Sequence, residues 1–594
     1  MSTSHYSLKR PSRRRPLAAR VAAILALSAP VAVHAATKVV TNCSGDDTLG
    51  GLHWAAAATG NGDTIDMTNI TDFSACLPNA DGFAQVILLS STVTLATGVT
   101  INGPNATGTN LAVSGLNNFR VFSSPGTLTI NDLGVVNGKN TIPNKLLGTY
   151  GGCTYSHSDT TLTNVVLDHC TTSGPNSMGG AVATYDGSVT LTNSRITHGY
   201  ATSNGSASAW GGAVCAWGDA ILQHSYIDDS TASATGANAF GGGVWANGNV
   251  KLQYSAVAAT HAVSMSTNVF EVARGGGVYA VGKVTLNHAR VEDSTTYAKG
   301  HDARGGGIYS KGLTDARYSV VVFNEAQGAP GVATKGGGIY SQGGLTAQYS
   351  NVSYNNSANG EGGGVVVAGG NSYVRGSTVA GNNASVSIAG VGFFSGGTTS
   401  VDIINSTISG NNSLGSAAAG YIKAYKTTIN NSTIAYNHGA SGSGVVVYPG
   451  IAGSTIDLNS TLISGNTYGA GNTNNDLFTN VSFTAVSGNN LIRTPQSGVP
   501  PGTLTGVCPL LHALRLNGGP MPTHRLGGGI SAAAGSKNPA IDVGSNPLSL
   551  GSDQRGGSTN ATSPPRVSGI AADIGAYEVD QSDIIFDAQF EGCQ

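Results

Sequence analysis

Gly179-Gly180-Ala181-Val182-Ala183, then Ser188-Val189-Thr190-Leu191-Thr192-Asn193-Ser194, then Arg195-Ile196-Thr197 make one unit of a pattern that recurs through the chain. The Gly-Gly-small-aliphatic start returns at Gly151, Gly179, Gly211, Gly241, Gly275, Gly305, Gly336 and Gly362, 26 to 34 residues apart. Degenerate copies follow at Gly390-Val391-Gly392-Phe393, Ala419-Gly420-Tyr421-Ile422 and Gly442-Ser443-Gly444-Val445, giving eleven units. Apolar and polar residues alternate within each segment, the period of a half-buried strand, and Gly, Asn or Ser separates the segments. Three short strands per repeat describe one coil of a parallel β-helix. A propeller blade needs four strands and about 40 residues, more than these units hold. The fold expected is all-β, a right-handed parallel β-helix.

The variable residues, such as Ala232 to Phe240 and Met265 to Arg274, fall between the third strand and the next Gly-Gly and read as surface loops. The glycine pair allows a positive φ at a tight corner. Asn355, Asn382, Asn411, Asn437 and Asn466 close successive third strands. They are expected in the left-handed region, each amide stacked on the coil below.

Composition narrows the function. Only 10% of residues are charged, the net charge is −2, and 86 of 594 residues are glycine. With no basic field for phosphates, nucleic-acid binding is not expected. Lys9, Arg10, Arg13, Arg14, Arg15 and Arg20 precede a small apolar run, Val21 to Val33, that ends in His34-Ala35-Ala36. This reads as a secretory signal over residues 1–35, cut after Ala35 or Ala36. Export suits disulfides. Cys43 with Cys76 and Cys153 with Cys170 are the candidate pairs, and an odd total of seven leaves a thiol over. No short paired Cys spacing suggests zinc, and neither metal nor cofactor is expected.

The organisation expected is residues 36–145 as an N-terminal cap and first coils, 146–470 as the Gly-Gly repeats, and 471–594 as last coils, a loop-rich cap and an anchor-like tail. Leu49 to Thr59 is the one helix candidate, a cap over the first strand edge.

Over residues 150 to 470 the repeats resemble those of right-handed β-helix proteins of the polymorphic outer membrane protein type and their secreted bacterial relatives. Cys43-Ser44-Gly45-Asp46-Asp47-Thr48-Leu49 is similar to the Cys-Ser-Leu-Arg-Glu-Ala entry of those relatives, without its Arg and Glu. In the tail, Pro539-Ala540-Ile541-Asp542-Val543-Gly544-Ser545, Asp553-Gln554-Arg555-Gly556-Gly557 and Ala572-Asp573-Ile574-Gly575-Ala576-Tyr577-Glu578 are similar to the choice-of-anchor C-terminal region of secreted β-helix proteins. There, a final Asp583 to Cys593 looks like an attachment signature. The resemblance implies a secreted or outer-surface protein of a Gram-negative-type bacterium, in contact with a membrane only through such an anchor. A translocating barrel of about 12 strands cannot be drawn from the Pro- and Gly-rich stretch after Tyr468.

Two functions fit a secreted β-helix: a rod for adhesion to polysaccharide or a cell-surface ligand, or a lyase or hydrolase of the pectin-degrading type. The second needs clustered acids or a calcium-and-arginine site. Asp228-Asp229 with His224, His198 and His438 are the candidates, in no pattern of those enzymes. Column alignment gives a sharper lead. The fifth residue of successive units reads Ala183, Cys215, Trp245, Tyr279, Tyr309, Tyr340, Val366. The residue before the Gly-Gly reads Met178, Trp210, Phe240, Arg274, Arg304, Lys335, Glu361. Trp245, Tyr279, Tyr309 and Tyr340, beside Arg274, Arg304 and Lys335, are expected to face outward as a glycan-binding stripe or, alternatively, as a stack that stabilises the sheet.

Overall fold

The structure is a computed structural model that describes residues 35–104, 110–141, 148–442, 444–527, 538–557 and 564–579. The charged and apolar leader and the last fifteen residues lie outside them. The chain is a parallel β-solenoid. One coil runs through Val182–Thr184 in the first sheet, Val189–Thr192 in the second and Arg195–Ser203 in the third. It closes with the short strand Ala209–Trp210 in a fourth sheet. Equal positions of neighbouring coils pair in parallel, as in Val189 with Ala220 and Ala220 with Val250. Stacking builds a first sheet of 14 strands, a second of 16 and a fourth of eight.

Alternation explains the core. Val189 and Leu191 are buried, Thr190 and Thr192 face out, and the inward residues of all coils join one continuous apolar column. Each buried Val or Leu contributes about 1.5–3 kcal/mol. The glycine pair is required by space as well as by φ. Gly241 has φ 62°, and a Cβ on Gly242 would lie 2.2 Å from the Gly276 carbonyl oxygen of the next coil.

Several expectations are corrected. Ala232–Ala234 and Ala239–Phe240 are strand, not loop, and so is Ala273–Arg274. Small alternating residues allow this, since Ala209, Ala232 and Ala234 pack together where the third and fourth sheets meet. The asparagines form the expected ladder: Nδ2 of Asn355 donates to Oδ1 of Asn382 (3.0 Å), Asn382 to Asn411 (2.9 Å), Asn411 to Asn437 and Asn437 to Asn466 (both 2.8 Å). The ladder starts one coil earlier, at Asn324, and ends on Asp476. The left-handed residues, however, are the ones before them: Tyr354, Gly381, Gly410, Tyr436 and Gly465. That turn aims each amide inward, where its N–H groups also satisfy buried carbonyls.

The N-terminal helix is shorter than read, Leu52–Ala57, and buries Leu52, Ala55 and Ala56. Both candidate disulfides are formed, Cys43–Cys76 and Cys153–Cys170. Cys215 is a buried free thiol.

The tail first covers the last coil, where Pro495 and Leu504 pair with Leu477 and Leu491 and Val499 packs on the core, and then turns back. It runs back along the outer face of the third sheet as a strap. Leu511, Leu526, Ile541, Ile574 and Tyr577 pack on Ala435, Leu462 and Leu491. The Thr378 hydroxyl donates to the Pro522 carbonyl (2.7 Å), Thr407 donates to Gln554 (2.5 Å), and Ser409 pairs with His524 (2.7 Å). Within the strap, Arg555 pairs with Asp553 (2.8 Å), donates to the Tyr577 hydroxyl (2.9 Å) and lies 3.8 Å over its ring. The three tail segments singled out in the sequence thus meet in one network, with Asp542 N–H donating to Asp573 (2.8 Å). At the other end of the same sheet a hairpin, Leu77–Ala80 with Phe83–Leu88, lays Phe83 and Val86 against Ala112 and Val136.

Candidate functional site

Between hairpin and strap the third sheet is open. Its strands there are Val166–Gly174, Arg195–Ser203, Tyr226–Ala234 and Ala256–Ser264, nine residues each, followed by Arg290–Glu292. Each nine-residue strand kinks at one left-handed residue: His169, His198, Asp229 and Ala259.

The aromatic stripe lies elsewhere and differs from the expectation. Trp245, Tyr279, Tyr309 and Tyr340 do point away from the coil interior and stack: Tyr279 and Tyr309 are 5.1 Å apart at 3°, Tyr309 and Tyr340 5.2 Å at 10°. Yet they are only 7%, 4%, 0% and 5% exposed. The sharp glycine corner folds the fourth sheet against the first, so Arg274 covers the Tyr309 ring (5.2 Å) and Arg304 covers Tyr340 (5.1 Å). Lys335 is paired with Glu361 (3.2 Å) and Arg304 with Asp302. With ring faces covered and cations paired, the stripe offers no open stacking platform, and its geometry is that of a small second core.

The open part of the third sheet holds a cleft of about 490 Å³, lined by Arg195, Tyr226, Asp228, Ala258, Arg290 and Glu292 among others. Register builds it. Arg195, Tyr226, Ala256 and Arg290 share one outward column, and Thr197, Asp228, Ala258 and Glu292 the next. Two alanines in a row leave a depression, with Tyr226 on one side, 56% exposed, and Arg290 on the other. Arg195 lies 3.8 Å from Asp228, and Arg290 pairs with Glu292. A phenol ring, two guanidinium groups and two carboxylates around a shallow, apolar-floored hollow suit a polyhydroxylated ring, which stacks its C–H face and hydrogen-bonds at its edge.

Beside the cleft the kinks gather a second group. Asp168 Oδ1 is 2.7 Å from His198 Nδ1, and Asp168 Oδ2 is 2.9 Å from His169 Nδ1. The Thr197 hydroxyl donates to Asp168 (2.7 Å), and the two imidazoles stack 4.3 Å apart at 22°. His198 Nε2 lies 3.4 Å from Asp229 Oδ2. Partial burial works against the Asp168 charge, but hydrogen bonds from His198, Thr197 and His169 prevail and hold its carboxyl below the usual range. Burial, with Asp229 nearby, pushes the Tyr200 phenol up. Two coils on from Tyr200, burial pushes His261 down.

Of the candidates noted in the sequence, His198, Asp228 and Asp229 converge here. His224 stacks instead on Tyr254 (5.2 Å), and His438 lies on the solenoid's later coils, 3.1 Å from Thr467. Asp168, His169, Arg195, Tyr226 and Arg290 were missed. The signal for them is register: Asp168-His169, Thr197-His198 and Asp228-Asp229 occupy the same two places in three successive coils. No protein-family model, no curated protein and no solved structure matches the chain.

Proposed function

We propose that the protein is an extracellular β-solenoid rod that binds an extended polysaccharide across the open coils of its third sheet, with Tyr226 as the stacking ring and Arg195 and Arg290 as hydrogen-bond donors. The observation that carries the reading is the cleft at Tyr226, on the one stretch of that face that neither hairpin nor strap covers. A rod repeats its surface at the rise of a strand spacing, about 4.8 Å per coil, which suits a chain ligand lying along it. The disulfides Cys43–Cys76 and Cys153–Cys170, the Gly-Gly grammar similar to polymorphic outer membrane proteins and the charged leader support a place outside the cell.

Affinity electrophoresis of the purified chain through gels carrying a panel of neutral and acidic polysaccharides tests this. Retardation by at least one polymer, abolished in Tyr226→Ala, is the expected result. No retardation, or retardation unchanged in a Tyr226→Ala, Arg195→Ala, Arg290→Ala triple variant, overturns it. New reducing or unsaturated ends in the retained polymer would move the protein to the lyase or hydrolase class.

A further inference from the structure

His169 and His198 hold left-handed backbone, φ 52° and 50°. Such residues are ordinarily Gly, Asn or Asp, and a bulky side chain there costs of order 1 kcal/mol. The kink nevertheless carries a histidine in two consecutive coils. Its effect is to bring two imidazoles and the Asp168 carboxylate to one spot, with one ligand atom from each of the three within 4.8 Å of the others. The same kink carries Ala259 and Asp293 in later coils and a stacked Phe323–Tyr354 pair beyond them, so packing accounts for stacked rings here but not for the carboxylate held against both imidazoles.

We propose that Asp168, His169 and His198 form a binding site for a divalent transition-metal ion of the zinc class. Two imidazoles and one carboxylate are a three-ligand set that leaves one position open. Bonds of about 2 Å set tetrahedral ligand atoms about 3.3 Å apart. The separations of His198 from Asp168 Oδ1 (2.7 Å) and of His169 from Asp168 Oδ2 (2.9 Å) need to widen by about half an ångström, and ligand atoms that now lie within 4.8 Å of one another need to draw together around the ion. In the metal-free chain those two contacts are Nδ1–H···O bonds; the ion takes Nδ1 as each neutral imidazole shifts its proton to Nε2, which in His198 faces Asp229. The Thr197 hydroxyl fixes the Asp168 carboxylate as an outer-shell partner does. Asp229, 3.4 Å from His198 Nε2 and half exposed, faces the ring from the next coil. It adds negative charge without being required as a ligand.

The site is independent of the polysaccharide reading, and its test uses no glycan. The full chain, stripped of metal by chelator and dialysed, is titrated with Zn²⁺ by calorimetry and with Co²⁺ by visible absorption. One Zn²⁺ per chain and the intense d–d bands of tetrahedral cobalt are expected. Both should be lost in a His169→Asn, His198→Asn double variant, in which asparagine keeps the left-handed kinks and unchanged circular dichroism confirms the fold. An Asp228→Asn variant, one coil on from Thr197 and outside the ligand set, should bind as the native chain does. No stoichiometric uptake by the native chain, or equal uptake by the double variant, overturns the proposal.

Discussion

The third sheet is the same ladder along its length, yet its two halves meet the outside differently. In the early coils its outward residues include Asp168, Arg195, Tyr226, Asp228, Arg290 and Glu292, and the face is open. In the later coils the corresponding places hold Thr378, Ala380, Thr407, Ser409, Thr433 and Ala435, all buried beneath the tail. Backbone and register are common to both, so the side chains decide. Small hydroxyl residues can be covered because each finds a partner in the strap, whereas the early coils' charges, even paired as Arg195–Asp228 and Arg290–Glu292, would cost several kcal/mol to desolvate. The strap's hydrogen bonds reach as far as Thr378, the uncharged strands Val320–Val322 and Asn351–Ser353 follow, and the charged cleft lies on the open coils before them.

Removing the strap's anchor should break this contrast most strongly. Arg555→Ala leaves Asp553 buried without its cation, a loss of about 3–5 kcal/mol for a broken buried pair. The strap is then expected to come away while the solenoid stays folded. Limited proteolysis should cut between residues 508 and 579, and circular dichroism should keep its β signal. Cooperative unfolding of the whole chain would instead make the strap part of the solenoid's own stability.

The strap also carries a pH dependence of predictable sign. Burial pushes the Glu578 carboxyl up to about 8, with the nearby Asp573 adding to the shift. The folded strap therefore holds a proton that the unfolded strap, with its ordinary carboxyl near 4.5, has given up. This contribution is complete below about pH 4.5 and is lost as pH rises through about 8. His524, pushed down to about 4 by burial, works the other way, but only below its ordinary 6.5. Measured upward from about pH 7, protection of the strap from protease should fall, and in Glu578→Gln it should be flat. A falling profile in the variant would assign the dependence to another group.

The solenoid was legible because its grammar is local. Gly-Gly corners, alternating Val, Leu and Thr, and spaced asparagines each state a requirement of a single coil, and stacking repeats it. What depends on two coils, or on the two ends of the chain, was harder to see. His169 and His198 stand 29 residues apart and meet only through the pairing that sets Asp168 beside Thr197. The outward direction of Trp245 and the three tyrosines followed from alternation, but their burial did not, because the fourth-sheet strands over them are two or three residues long and read as loops. The strap's apolar residues, Leu511, Leu526, Ile541 and Ile574, have neither strand nor helix period, so nothing local marked them as a cover.

The covered half can be tested at a single contact. Thr407→Val keeps the shape of the side chain but removes the hydroxyl that donates to Gln554 Oε1. That oxygen is left buried without this donor, and a loss of about 1–3 kcal/mol is expected. Chemical denaturation should place it in the strap transition, with the solenoid transition unmoved. Equal loss in both would mean that the strap and the coils under it unfold together.

The smallest effect on stability is expected from the converse change on the open half. Ala258 floors the cleft between Asp228 and Glu292, at a site with no covering segment. An arginine there can reach solvent and pair with either carboxylate, so Ala258→Arg should shift the denaturation midpoint by no more than about 0.5 kcal/mol in free-energy terms. It fills the hollow beside Tyr226, however, and should abolish retardation by any polysaccharide that the native chain retains. A large stability loss would mean that this part of the sheet is packed more like the strapped half than its exposure implies. Unchanged stability with unchanged retention would place the ligand away from the Ala258 hollow, and only the pair of results expected here ties the open face to binding.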